Sequence, residues 1–163
     1  MSHSLLARIA AVAALCAGVA SAQDYAVGPL HIGHPWLRAT PPGAPTAAGY
    51  LTITNHGQVS DHLLGGDAPG LGPIEVHVMS MTGQVMRMRP VAGGLEIKPG
   101  QTVALTPGGD HHLMLIGPKR TLKAGDQAPA VLRFEKAGSV RVTFVVQDLG
   151  ERMTPPMQPM GMH

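Results

Sequence analysis

The chain has 163 residues, 44% hydrophobic, 13% charged and 3% aromatic, which is room for one domain whose core rests on Val, Leu, Ile, Ala and Met, and too little for a second full domain. Lys plus Arg (12) barely exceed Asp plus Glu (10); with no basic run, so slight a surplus leaves no electrostatic footprint for nucleic acid. No run of roughly 18 apolar residues follows the N-terminal segment, so no internal transmembrane helix is expected.

In chain order, residues 1–22 come first and read as a secretory signal peptide. Arg8 supplies the positive charge, Ile9 to Ala20 a short apolar run, and Ala20-Ser21-Ala22 a small-residue cleavage site, with Gln23 as the expected mature start. Leu15 precedes Cys16 where a lipoprotein signal has a small residue, so lipid anchoring is not expected. The single Cys leaves with this leader. The mature chain then has no thiol, which excludes disulfides, thiolate zinc, blue copper and iron–sulfur centres.

Residues 23–149 are expected to form one domain. Short apolar segments recur between Gly, Pro and Asp, giving candidate strands at 30–37, 49–54, 62–65, 74–81, 85–91, 102–106, 112–116, 130–134 and 140–147. The last is the clearest, with Val140, Val142, Phe144 and Val146 alternating with Arg141, Thr143 and Val145 in the period-2 pattern of a half-buried strand. Gly (21) and Pro (15) are abundant, and no segment has helical periodicity. Many short strands with regular turns predict an all-β fold, a Greek-key barrel or sandwich. Residues 150–163, with three prolines and no β-branched run, read as a flexible tail.

Ten Met and nine His accompany the one Cys, and their placement carries the chemistry. His77, Met79 and Met81 lie at i, i+2 and i+4, so on a strand they share a face. Met86 and Met88 share a face of the returning strand. A turn at Thr82-Gly83 sets His77 opposite Met88, and a turn at Gly83-Gln84 sets Met79 opposite Met88. In either register all five project from one side. His112 and Met114 form a second same-face pair. Thioether sulfur is soft and uncharged; it suits Cu(I), disfavours Zn(II), Mg(II) and Ca(II), and needs no deprotonation. Such a set fits copper in an oxidising compartment, and its two imidazoles also give some affinity for Cu(II). Each Met alone is ordinary core filling, and each His alone an ordinary structural histidine. Their coincidence in register is not, and neither are Met153, Met157, Met160 and Met162 in a tail with no core to pack.

The run His77-Val-Met-Ser-Met-Thr-Gly-Gln-Val-Met-Arg-Met88, followed by His112-Leu-Met114, resembles the periplasmic PCuAC copper chaperones. That family's motif is a His, ten residues, a Met, about twenty-one residues, then His-x-Met. Here ten residues separate His77 from Met88 and twenty-three separate Met88 from His112. The surplus is accommodated at Ala92-Gly93-Gly94 and Asp110-His111, which leaves His111 as an alternative to His112. The resemblance extends through the segments starting at Trp36, Gly49 and Leu132, about residues 27–147. It implies a cupredoxin-like barrel that binds Cu(I) through His77, Met88, His112 and Met114 and hands copper to the copper-site subunit of cytochrome c oxidase, often beside a Sco-type protein. It also implies that a tail such as Met153–His163 takes part in copper binding, as a second site for Cu(I) or Cu(II).

Met79, Met81 and Met86 are expected to form the apolar shell of that site or a transfer path for the ion. His31 and His34 fall on opposite strand faces, which disfavours a shared site, and His56 and His62 are expected in solvent near turns. No G-x-S-x-G, Walker A or H-E-x-x-H occurs, so no enzyme is expected. The alternative to delivery is a copper-sequestering or resistance protein with the same ligands and no dedicated target.

Overall fold

The computed structural model describes residues 23–148; the expected leader, Leu149 and the expected tail lie outside the described residues. Eleven strands follow one another: β1 (Asp24–Val27), β2 (Leu30–Arg38), β3 (Thr46–Asn55), β4 (Asp61–Ala68), β5 (Gly72–Thr82), β6 (Val85–Pro90), β7 (Leu95–Ile97), β8 (Thr102–Leu105), β9 (His111–Ile116), β10 (Gln127–Phe134) and β11 (Gly138–Gln147). No helix occurs among the described residues.

Seven of them close a ring, β2–β11–β10–β4–β5–β9–β3, which returns to β2 through the β2–β3 pairing. Closure leaves the ring strands no free edge. Only β11–β2 is parallel; the other ring pairs are antiparallel. The expected all-β, cupredoxin-like class is therefore adopted as a closed barrel. Two strands were not foreseen: β1, and β7, whose three residues are too few for a periodic signal. Leu95 and Ile97 of β7 are nevertheless buried, and its pairing with β4 supplies the order.

Alternation builds the core. Val142, Phe144 and Val146 of β11 point inward with Leu132 of β10, Ile32 and Leu37 of β2, and Leu113 and Leu115 of β9. Two glycines allow strands to approach closely. A Cβ on Gly66 would run into the carbonyl of Val131, and one on Gly72 (φ +88°) into that of Ile116, so both positions exclude a side chain.

Two buried polar residues pin the connections. The Asn55 side chain donates to the carbonyls of Val59 (2.8 Å) and Ile97 (3.0 Å) and accepts from Gly57 N–H (2.8 Å). Asp61, only 3% exposed, accepts from the N–H groups of His62 (2.7 Å), Lys136 (2.8 Å) and Ala137 (2.8 Å), which ties the β10–β11 turn to the start of β4. Bonds to a charged acceptor are worth about 1.5–3 kcal/mol each, and unpaired buried donors carry a further penalty. Asp61→Ala is expected to cost at least about 3 kcal/mol in urea unfolding, with Asp61→Asn losing less. An Asp61→Ala loss below about 1 kcal/mol would show that water replaces the carboxylate.

Candidate metal centre

The site arises from alternation on two neighbouring strands. Ile74 and Val76 of β5 are buried in the core, so Glu75, His77 and Met79 lie on its outer face. Leu113 and Leu115 of β9 are 0% exposed, which puts His112 and Met114 on the same outer face. The strands pair with His77 opposite His112 and Glu75 opposite Met114. On the other edge of β5, β6 sets Met79 opposite Met88 and Met81 opposite Met86. Of the two registers the sequence left open, the Gly83-Gln84 turn is therefore the one adopted, with Gly83 at φ +66° as a two-residue hairpin turn favours.

An outer barrel face is ordinarily wet, yet His112 is only 6% exposed. It lies in a cleft of about 170 Å³ lined by Met79, Met88, His112, Met114, Arg38, Ala48, Tyr50, Thr106, Gly108 and Gly109. Tyr50 of β3 is held against Trp36 of β2, with ring centroids 4.6 Å apart. The segment between β8 and β9 forms another wall, fastened to β5 by the bond from Met79 N–H to the Asp110 carbonyl (2.7 Å). His77 is not part of this lining. Its ring lies beside that of His112, centroids 5.9 Å apart and planes at 48°, and its Nε2 is 2.8 Å from Glu75 Oε2.

Two ring nitrogens in this cluster, His77 Nδ1 and His112 Nε2, are buried without a hydrogen-bond partner among the described residues. An unmade bond to a buried polar atom costs about 1–3 kcal/mol, so two in contacting rings require an explanation. A third such atom, His62 Nδ1, differs, because a Glu135 carboxylate oxygen lies 2.7 Å away. Burial, and then the neighbouring His77 and His111, lower the His112 pKa, which favours the neutral imidazole and keeps a lone pair available. Burial raises the Tyr50 pKa, and Arg38 partly opposes it, so this wall of the cleft is a neutral phenol. The three thioethers are soft, uncharged donors and the two imidazoles borderline ones, a set suited to a soft monovalent cation.

The structure thus brings together His77, Met79, Met88, His112 and Met114. Strand parity puts His111, opposite Val78, on the other face from His112. Met81 (67% exposed) and Met86 (59%) lie farther out on the hairpin, in solvent. Met153, Met157, Met160, Met162 and His163 lie outside the described residues. His31 pairs loosely with Asp24 (3.8 Å), and His34 sits at a bulge with φ +52°; neither joins the cleft. His56 is exposed as expected, but His62, expected in solvent at the edge of the candidate strand 62–65, is half-buried within β4 against Glu135, because the strand already starts at Asp61. Sequence reasoning missed Arg38, Tyr50, Glu75 and the Thr106–Gly109 wall. Glu75 alone had a local signal, the i, i+2 spacing to His77. A larger groove of about 550 Å³ beside Tyr25 and Arg141 contains no His or Met.

The family described as "Putative lipoprotein LpqE-like" matches residues 30–146, a span that contains every residue of the cleft. A curated relative from Leifsonia xyli subsp. xyli (strain CTCB07), "Putative lipoprotein Lxx21020", is 28% identical over 73% of this chain and 70% of its own length. Among solved structures, the "Copper-bound PCuAC domain from PmoF2" aligns with a TM-score of 0.65 and 28% identity, covering 77% of this chain and 98% of that one. The "Apo PCuAC domain from PmoF1" aligns with a TM-score of 0.64 and 28% identity, over 77% and 99%.

The lowered His112 pKa fixes a sign. Between the folded-state pKa and the unfolded value near 6.5, the unfolded chain binds more protons, so stability is full above about pH 6.5 and is lost as pH falls through that window. Urea unfolding of the metal-free protein at pH 7.5 and 5.0 is expected to show a smaller drop for His112→Asn than for the parent. Equal drops would mean His112 titrates alike in both states.

Proposed function

The chain belongs to the LpqE-like family and its barrel is a PCuAC-type domain; from that premise we propose that it is a periplasmic copper chaperone, which carries Cu(I) on His77, Met88, His112 and Met114 and delivers it to cytochrome c oxidase assembly. The observation that carries this reading is the pair of unpartnered buried imidazole nitrogens beside a methionine-lined cleft. The copper-bound state named for the PmoF2 domain supports the choice of metal. Cu(I) is favoured because thioethers are poor donors to hard or borderline divalent ions.

The mechanism is ligand exchange, with copper as cargo. His112 and His77 hold the ion at the buried side of the site. Met88, 55% exposed, is the ligand an acceptor reaches first. A partner offering thiolates or imidazoles, such as a Sco-type protein or the copper-site subunit of the oxidase, displaces Met88 and then the inner ligands in turn. The exposed methionines of the hairpin favour this over sequestration without a target, since a storage site gains by closing over its ion. We assign the chain a carrier role and no catalytic one. The tail methionines and His163 add a second, tethered copper site that raises the local concentration of the ion.

An anaerobic Cu(I) competition titration against a chromophoric chelator, with Zn(II) in parallel, tests the core site. Tight Cu(I) and weak Zn(II) binding are expected. Met88→Leu is expected to lower Cu(I) affinity while costing under about 1.5 kcal/mol of stability, since it conserves volume. A chain ending at residue 149 is expected to keep one Cu(I) and lose total capacity. Unchanged affinity removes Met88 from the site, and unchanged capacity removes the tail.

Export is proposed from the leader. N-terminal sequencing of the secreted protein is expected to begin at Gln23, and a lipid-modified Cys16 would contradict that processing.

A further inference from the structure

We propose that Glu75 is a positioning residue for the metal centre: it holds His77 as the Nε2–H tautomer, so that His77 presents Nδ1 to copper while His112 presents Nε2. This rests on the copper reading of the site and adds to it the atoms that bind and the group that orients them.

A neutral imidazole has one N–H and one lone pair, and an ionised carboxylate only accepts. His77 Nε2 lies 2.8 Å from Glu75 Oε2. For a neutral ring beside an ionised carboxylate, this contact puts the proton on Nε2 and the lone pair on Nδ1. That nitrogen is the one left buried without a partner, and on the facing ring the equivalent atom is His112 Nε2. The rings belong to directly opposed residues and lie 5.9 Å apart at their centroids. The two unpartnered ring nitrogens thus fall on the two residues that resemblance and strand parity select independently. A histidine that donates its second N–H to a carboxylate is oriented and made more basic, the usual arrangement around a bound metal.

Charge points the same way. All four proposed ligands are neutral, so the loaded site carries the positive charge of the ion, and Arg38 lines the same cleft. Glu75 is the carboxylate in contact with a ligand ring, and its negative charge offsets that of the ion. Its place follows from the chain. Residues 75 and 77 share the outer face of β5, and the Glu75 side chain is 45% exposed against 12% for His77. The carboxylate can therefore stay hydrated on one side while it holds the ring on the other.

The test combines long-range ¹⁵N spectra of histidine rings in the metal-free protein with Cu(I) competition, on the parent, Glu75→Gln and Glu75→Leu. In the parent, His77 is expected as a single Nε2–H tautomer. Glu75→Leu is expected to mix the tautomers and to weaken Cu(I) binding about 10- to 100-fold, the usual cost of losing an outer-shell partner. Glu75→Gln keeps an acceptor oxygen and is expected to keep the tautomer with a smaller loss. An Nδ1–H tautomer in the parent, or Cu(I) affinity of Glu75→Leu within about twofold of the parent, would overturn the assignment. If Glu75→Leu does not fold, an unchanged affinity and a changed tautomer in Glu75→Gln would overturn it equally. Should the parent fail to bind Cu(I), the chaperone reading falls, whereas the His77 tautomer still reports on the Glu75 contact.

Discussion

Everything about this site depends on the opposed faces of β5 and β9. A strand turns successive side chains to opposite sides, so each of these strands must serve two environments at once. Ile74 and Val76, with Leu113 and Leu115, fill the barrel and are almost wholly buried. The residues between them, Glu75, His77, Met79, His112 and Met114, are thereby committed to the outer face in a fixed register. A slip of one residue in the β5–β9 pairing would exchange core residues for the His and Met side chains on one strand. The hydrophobic demand of the core therefore fixes which His and Met side chains share the outer face.

The outer face then needs shelter. Donor side chains left in open water would compete with solvent and solution ligands for any ion. Tyr50, backed by Trp36, and the segment before β9 cover His112, while the hairpin of β5 and β6 stays uncovered. β9 begins opposite Val78, so the methionines from Met79 to Met88 run past its end on a two-stranded ribbon. Such a ribbon has little stability of its own and is anchored at its base by Met79 N–H on the Asp110 carbonyl. The result is a gradient from buried imidazole to exposed thioether.

The scaffold achieves this with few charges. Asn55 and Asp61 satisfy their buried polar atoms with backbone groups of the adjoining turn and of distant segments. They order the connections of β3, β4 and the β10–β11 turn at the cost of two desolvated side chains. Glycines at 66 and 72 let strands approach more closely than any side chain would allow. With aromatics at only 3% of the chain, core volume comes from aliphatic residues, and both Trp36 and Tyr50 are left to support the cleft.

By itself the sequence determined what is local and periodic. Alternation in 140–147, 74–81 and 112–116 disclosed strands, their number indicated an all-β fold, and the i, i+2 placement of His and Met settled which side chains share a face whatever the turn. These were legible because a strand's parity needs only its own residues. The tertiary structure decided what depends on pairing between distant segments: a closed barrel rather than a sandwich, the Gly83-Gln84 register, and the separation of His112 from His111 by parity against a buried Leu113. It also decided the roles of Arg38, Tyr50 and Glu75, and the short strand β7, whose order comes from β4. None of these leaves a periodic trace in one segment. A cleft wall, a facing ring or a buried lone pair exists only once strands from four parts of the chain lie side by side.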